Sequence, residues 1–286
     1  MPILLDGKKA SEAIAASLQS RIAASSVRPK LVIMQVGERE ESSAYIERKK
    51  AFGKKIGAGV IHERLLETVS EGVLLSRIEE LNADSSVHGI LLQLPLPKSL
   101  DRARLLAAVD PRKDVDGLAP NSHFTPATAR GILELLQFYH IPIRGKKAVV
   151  LGRSALVGTP TAEVLRRASA EVTVCHSGTT NTMEVTKASN IVVAAIGKPR
   201  LIGADYFRDD KTQVVVDVGI TAVTGKRSER LEEEIPKRKL VGDVDFDAVK
   251  DMVAAISPVP GGVGPMTVAA LFQNLVEADQ RQTLKS

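Results

Sequence analysis

The chain has no tryptophan, one cysteine and only 3% aromatic residues. Each scarcity removes a class of answer. Cys175 alone provides neither an intramolecular disulfide framework nor a Cys-x-x-Cys metal clip. It closes an apolar strand pattern, which reads as a buried, inert thiol rather than a nucleophile. With so few aromatic rings the cores are built from Leu, Ile, Val and Ala. No basic stripe interleaved with aromatics is present, so nucleic acid is not an expected partner. No run approaches the roughly 20 apolar residues that span a bilayer, which argues against a membrane partner. "MPILLDGKKA" has a three-residue apolar run before its first charge, so it does not read as a signal peptide, and a cytoplasmic location is expected.

Charge of one sign is also in short supply. The 39 basic and 34 acidic residues leave a net charge of +5, and the basic runs "ERKK" (47–50) and "KRK" (237–239) are short and flanked by acids. That pattern describes a solvated, mixed-sign surface with a mild preference for anionic small molecules such as phosphates and carboxylates. What is present is ordinary for a soluble enzyme: 286 residues, 44% hydrophobic and 26% charged, enough for two domains with their own cores.

Apolar runs alternate with helical patterns. "KLVIMQV" (30–36), "GVIHERLL" (59–66) and "HGILLQLPL" (88–96) read as strands. Segments 11–25, 42–57 and 70–84 read as helices. The rhythm breaks at "DPRKDVDGLAPNSHFTPATA" (110–129), a turn-rich domain junction. A helix over 127–139 then leads into the strands "KKAVVL", "AEVTVC", "NIVVAAIG" and "TQVVVDVG". A last helix, "MTVAALFQNLVEA", starts near Met266. Strands separated by helices predict an α/β protein with parallel sheets and right-handed crossovers.

"AVVLGRSALVGTP" (148–160) lays out a strand, a turn with Gly152 and Gly158, and a helix beginning near 156–161. A pyrophosphate fits such a helix N-terminus, where backbone N–H groups are unpaired. The NAD fingerprint places a carboxylate about 20 residues on. Here the equivalent strand end reads "CHSGTTN" (175–181), without an acid. Arg153 supplies a planar cation instead. The combination points to NADP, with Arg153 and Ser177 contributing about 1.5–3 kcal/mol each through charge-assisted bonds to the extra phosphate. The plain alternative is a βα turn that binds nothing and leaves Arg153 in solvent.

Other segments carry chemistry-bearing side chains. Tyr45 and Lys49, four apart, share a helix face. Gln93 stands at a strand's carboxyl end and Asp116 at the domain junction. "SPVPGGVGPMT" (257–267) joins stiff prolines to open glycines ahead of the last helix. Taken singly, each has an ordinary reading: a surface lysine, a strand-end amide, a turn acid, a linker.

Together, "SSAYIERKK", "GILLQLPLP", "KDVDG", "VVLGRSALVGTP", "VTVCHSGT", "VVDVGI" and "SPVPGGVGPMTVAAL", in that order, make the chain resemble the bifunctional methylenetetrahydrofolate dehydrogenase/methenyltetrahydrofolate cyclohydrolase family over nearly its whole length. The resemblance implies a folate-binding domain of residues 1–118 plus 266–286 and a Rossmann-like NADP-binding domain of residues 119–265. It implies NADP as cofactor, tetrahydrofolate derivatives as substrates, no metal, a place in one-carbon metabolism and a homodimer. Carried over residue by residue, Tyr45 stacks on the folate, Lys49 is the acid/base of the cyclohydrolase step, Gln93 tunes Lys49, and Asp116 binds the pterin edge. Leu92 and Leu94 flank Gln93 in the substrate site. Pro260, Gly261, Gly262, Val263, Gly264, Pro265, Met266 and Thr267 match the folate- and nicotinamide-facing loop. Gly152, Arg153, Ser154, Ser177 and Ile220 match the cofactor contacts. The sequence departs from the family at 38–43, 124–131 and 178–180, and at Ser257, where threonine is common. None of these positions carries an assigned role in the chemistry. A shikimate-type NADP-dependent dehydrogenase and a non-catalytic NADP-binding regulator are the competing readings. Neither needs Tyr45, Lys49, Gln93 and Asp116 together.

Overall fold

A computed structural model describes residues 2–25, 27–224 and 238–283. Lys237 of the "KRK" run lies outside the described residues. The chain opens with strand β1 (Ile3–Leu4) and helix α1 (Gly7–Ala23). Then β2 (Lys30–Val36), α2 (Glu40–Ile56), β3 (Gly59–Leu65), α3 (Glu71–Ala83), β4 (Gly89–Leu92) and α4 (Arg102–Ala108) alternate. The second half runs α5 (Ala127–Phe138), β5 (Lys147–Leu151), α6 (Gly158–Arg167), β6 (Glu171–Cys175), α7 (Thr182–Ala188), β7 (Ile191–Ala194) and β8 (Val214–Asp217). It closes with β9 (Thr221–Thr224), β10 (Arg238–Val241), α8 (Phe246–Val249), β11 (Ala255–Ile256) and α9 (Val263–Thr283).

Two compact units result: Ser11–Arg130 with Thr267–Ser286, and Met1–Ala10 with Gly131–Met266. The first holds a parallel three-stranded sheet ordered β3-β2-β4. Its central strand β2 is buried on both faces, because alternate side chains feed separate cores. Leu31 and Ile33 pack with Leu18, Ile46, Ile56, Phe272 and Leu275. Val32, Met34 and Val36 pack with Leu74, Ile78, Leu81 and Leu105. The second unit holds a parallel six-stranded sheet ordered β1-β11-β8-β7-β5-β6, and β9 pairs antiparallel with β10. Val149, Leu151, Val192, Val215 and Ile256 meet Phe207 and Val249 in its core, with Cys175 buried among them.

The expected strand over 88–96 ends at Leu92, since Pro95 and Pro97 have no N–H for a ladder. The last helix begins at Val263, three residues before the expected Met266. Pro265 sits in its first turn, where N–H groups lack intrahelical partners anyway. The compact units also differ from the expected division at residues 1–10, at 119–130 and at Met266. Ile3 N–H donates to Ala254 O (2.8 Å) and Leu5 N–H to Ile256 O (2.9 Å), which ties β1 to the six-stranded sheet. A two-residue strand has no periodicity to read. Segment 119–130 joins the three-stranded unit because Phe124 and Ala127 enter its core.

Candidate functional site

In the three-stranded unit, α2 carries Tyr45 and Lys49 along one side. Lys49 is only 7% exposed, and its Nζ donates to Gln93 Oε1 at 2.7 Å. Gln93 is placed by its backbone: its N–H donates to Met34 O (2.8 Å), one residue past β4. Its side-chain amide donates to Leu94 O (2.8 Å), which orients Oε1 toward the lysine. Leu92 is buried, and Leu94 is partly buried. Burial pushes the Lys49 amine below the ordinary lysine range, and the Asp116 charge opposes this. Withdrawal from water pushes the Asp116 carboxyl up, against the pull of Lys49 and with a push from Asp114. The result is an amine biased toward its neutral form with an acid beside it, the arrangement a proton carrier needs. Tyr45 is partly buried, with the Arg48 guanidinium 5.4 Å from its ring centroid. Burial raises its hydroxyl pKa, and Arg48 lowers it.

"KDVDG" divides its labour residue by residue. Lys113 Nζ donates to the carbonyls of Leu81 (3.0 Å), Asn82 (2.8 Å) and Asp84 (2.7 Å), closing the end of α3. Asp114 accepts from the N–H groups of Gly117 (3.2 Å) and Ala119 (2.8 Å). Val115 is in the core, and Asn274 Nδ2 donates to its carbonyl at 2.8 Å. Only Asp116 is left to face Lys49. Sequence reasoning missed Lys113 and Asp114, though the motif contains both, because their work is to hold the turn that aims Asp116.

In the six-stranded unit, Gly152 directly follows β5 with φ of 122°, and its N–H donates to Cys175 O (2.8 Å). A β-carbon there would overlap the Ala195 carbonyl, and one on Gly158 would overlap Gly152 O. The two glycines are therefore required by close backbone approach, the condition a phosphate cradle needs. Ser154 Oγ accepts from the N–H groups of Val157 (3.3 Å) and Gly158 (3.2 Å), capping the start of α6. Arg153, Ser154, Ser177 and Ile220 are exposed. Pro260 through Met266 belong to this unit and Thr267 to the other. Gly262 N–H closes the turn on Pro258 O (2.8 Å). Two more functional candidates escaped the sequence reading, Asp217 and Asp243, which share a buried network at the ends of β8 and β10. Asp217 lies inside the quoted "VVDVGI", but nothing local signals its partner 26 residues on.

The family description "Tetrahydrofolate dehydrogenase/cyclohydrolase, catalytic domain" matches residues 5–116, and "Tetrahydrofolate dehydrogenase/cyclohydrolase, NAD(P)-binding domain" matches residues 126–283. The chain belongs to the tetrahydrofolate dehydrogenase/cyclohydrolase family. It is 42% identical to the bifunctional protein FolD of Agathobacter rectalis, covering 98% of this chain and 100% of that one. The same comparison with FolD of Campylobacter concisus gives 43%, with 99% of each covered. Against the mitochondrial C-1-tetrahydrofolate synthase of Saccharomyces cerevisiae identity is 42%, but the match spans 30% of that longer protein. Among solved structures, the FolD of Campylobacter jejuni matches with a TM-score of 0.89 and 35% identity, over 98% of this chain and 99% of that one. The Trypanosoma brucei FolD, solved with NADP and an inhibitor, matches with 0.91 and 33%, over 100% and 99%. A shikimate dehydrogenase from Aquifex aeolicus, at 13% identity and a TM-score of 0.54 over 90% of this chain and 97% of that one, shares the fold alone with this family member.

Proposed function

We infer that this protein oxidises 5,10-methylenetetrahydrofolate to 5,10-methenyltetrahydrofolate with NADP and hydrolyses the product to 10-formyltetrahydrofolate. The observation that carries this reading is the buried Lys49 amine, bonded to Gln93 at 2.7 Å and depressed toward its neutral form. The bifunctional FolD relatives that match over their full length support both activities.

The methenyl product is a cation, which drives a neighbouring lysine further toward the neutral amine. Neutral Lys49 accepts a proton from the water that attacks the bridging carbon. As the ring N5–carbon bond breaks, Lys49 returns that proton to N5, the hydroxyl left on the carbon loses its own proton to solvent as the C=O forms, and the formyl group stays on N10. Gln93 Oε1 fixes the direction of the amine. Asp116 accepts from the amino-pyrimidine edge of the pterin, which presents paired donors to a carboxylate. Tyr45 offers its ring face for stacking, and Leu92 and Leu94 form apolar walls.

NADP, when bound, supplies the hydride acceptor. The residues present fit it. Close backbone packing at Gly152 and Gly158 sets the start of α6 against the end of β5, where a helix N-terminus suits a pyrophosphate, segment 175–181 brings no carboxylate, and Arg153 and Ser177 stand exposed for the extra phosphate. Exposed Ile220 would offer the bound cofactor an apolar contact. The NADP-bound trypanosomal relative supports this choice. Family membership also supports a homodimer in the cytoplasm, which sedimentation at two concentrations and fractionation test. Among the described residues no helix is long and apolar enough to cross a membrane.

The deciding experiment is a spectrophotometric assay with methylenetetrahydrofolate, run with NADP and then with NAD. Turnover with NADP is expected. Turnover of a hydroxy acid instead would favour the shikimate-type reading, and cofactor binding without folate turnover the regulator.

A further inference from the structure

The loops at the carboxyl ends of β7 and β8 are laced together by two buried carboxylates. Asp243 is fully buried, and its Oδ2 accepts from the N–H groups of Ile196 (2.6 Å) and Gly197 (2.9 Å), in the loop after β7. Asp217, the last residue of β8, accepts from Gly219 N–H (2.9 Å) and Asp243 N–H (3.0 Å) on Oδ1 and from Val244 N–H (2.9 Å) on Oδ2. Its own N–H donates to Ser257 Oγ at 2.8 Å, which reaches the glycine–proline segment. In open α/β sheets these strand ends are where ligands bind.

The lacing continues to the dinucleotide turn. Ala195, next to Ile196, presents the carbonyl that Gly152 must leave room for. Moving the 195–197 loop therefore moves one wall of the phosphate cradle. On the other side, Gly219 precedes Ile220, and a β-carbon on Gly219 would overlap Asp243 Oδ1. That oxygen has no hydrogen-bond partner, although it is buried. Placing two carboxylates so deep is unfavourable. Burial first, and the Asp243 charge in addition, hold the Asp217 carboxyl up at about 6. What the arrangement provides in return is charge-assisted bonding to five backbone N–H groups, stronger than neutral acceptors give.

We propose that Asp243, with Asp217 beside it, is a positioning residue for NADP: it acts through the 195–197 loop to hold the cradle in its binding geometry. The proposal rests on the functional reading above. Three measurements on wild type, Asp243→Ala and Asp243→Asn test it: NADP titration, dehydrogenase kinetics at varied NADP, and hydrolysis of supplied methenyltetrahydrofolate without NADP. Asp243→Ala is expected to weaken NADP binding and raise its KM at least tenfold. Its kcat at saturating NADP should stay within threefold and its hydrolysis within twofold of wild type. Asp243→Asn, which keeps an oxygen for both N–H groups, is expected to restore the KM to within threefold. An unchanged NADP affinity in Asp243→Ala overturns the proposal alone. So does a parallel loss of hydrolysis, which would mark a general folding role, and so does an Asn variant as impaired as Ala. Failure of the wild type to bind NADP overturns the functional reading and the proposal together.

Discussion

Compare the company that buried charge keeps in the two units. In the three-stranded unit Lys49 faces Asp116, and each biases the other's proton. In the six-stranded unit Asp217 and Asp243 face each other and a set of backbone N–H groups. Burial pushes the lysine down and the acid up, which brings their proton affinities toward each other. Carboxylates surrounded by N–H donors do different work: their charge-assisted bonds to backbone N–H groups fix the geometry of the loops. One unit is built around a proton and the other around a shape.

The largest effect that would break this contrast is expected at Lys49. Lys49→Met should lower hydrolysis of methenyltetrahydrofolate by about a thousandfold, the scale of a lost general acid/base. Circular dichroism and NADP affinity should stay as in wild type. Residual hydrolysis within tenfold of wild type would take Lys49 out of the mechanism. Next is Gly152→Ala, which forces a β-carbon into the Ala195 carbonyl at a φ reserved for glycine. Strain of about 1–3 kcal/mol in the bound geometry corresponds to roughly 5- to 150-fold weaker NADP binding. Calorimetry with NADP reads this, while NADP-free hydrolysis should hold. Third, Arg153→Ala should raise the KM for NADP about tenfold and leave that for NAD nearly unchanged. Equal effects would show that Arg153 does not read the extra phosphate.

The smallest effect sharpens the contrast rather than testing it to destruction. The Asp116 charge holds the Lys49 pKa up against burial, so Asp116→Asn removes a negative neighbour and lowers it further. The ascending limb of kcat for hydrolysis, which follows the neutral amine, should therefore move to lower pH at saturating substrate. A shift to higher pH would contradict the pairing. The six-stranded unit should show no matching shift in NADP affinity.

Particular residues show how much was legible in the sequence. Strand β2 over 30–36 was readable end to end, since the apolar run over 31–34, resumed at Val36, marks a strand buried on both faces. Tyr45 and Lys49 could be put on one helix face from their spacing alone. The lack of an acid in 175–181 was visible without any structure. Lys113 was not assignable, because a lysine that closes a helix 29 to 32 residues away looks locally like surface charge. The early start of α9 was hidden by Gly264 and Pro265 in its first turn.

By itself, then, the order of residues determined the alternating α/β plan, the chemistry-bearing side chains and the kind of anion they suit. These follow from periodicity and local backbone preference, which act over a few residues. Only the tertiary structure decided that β1 enters the six-stranded sheet, that Gly152 must yield to Ala195, and that Asp217 and Asp243 close on the same loops. Those facts rest on hydrogen bonds and close approaches between segments far apart in the chain, and no local pattern encodes which distant N–H will meet which oxygen.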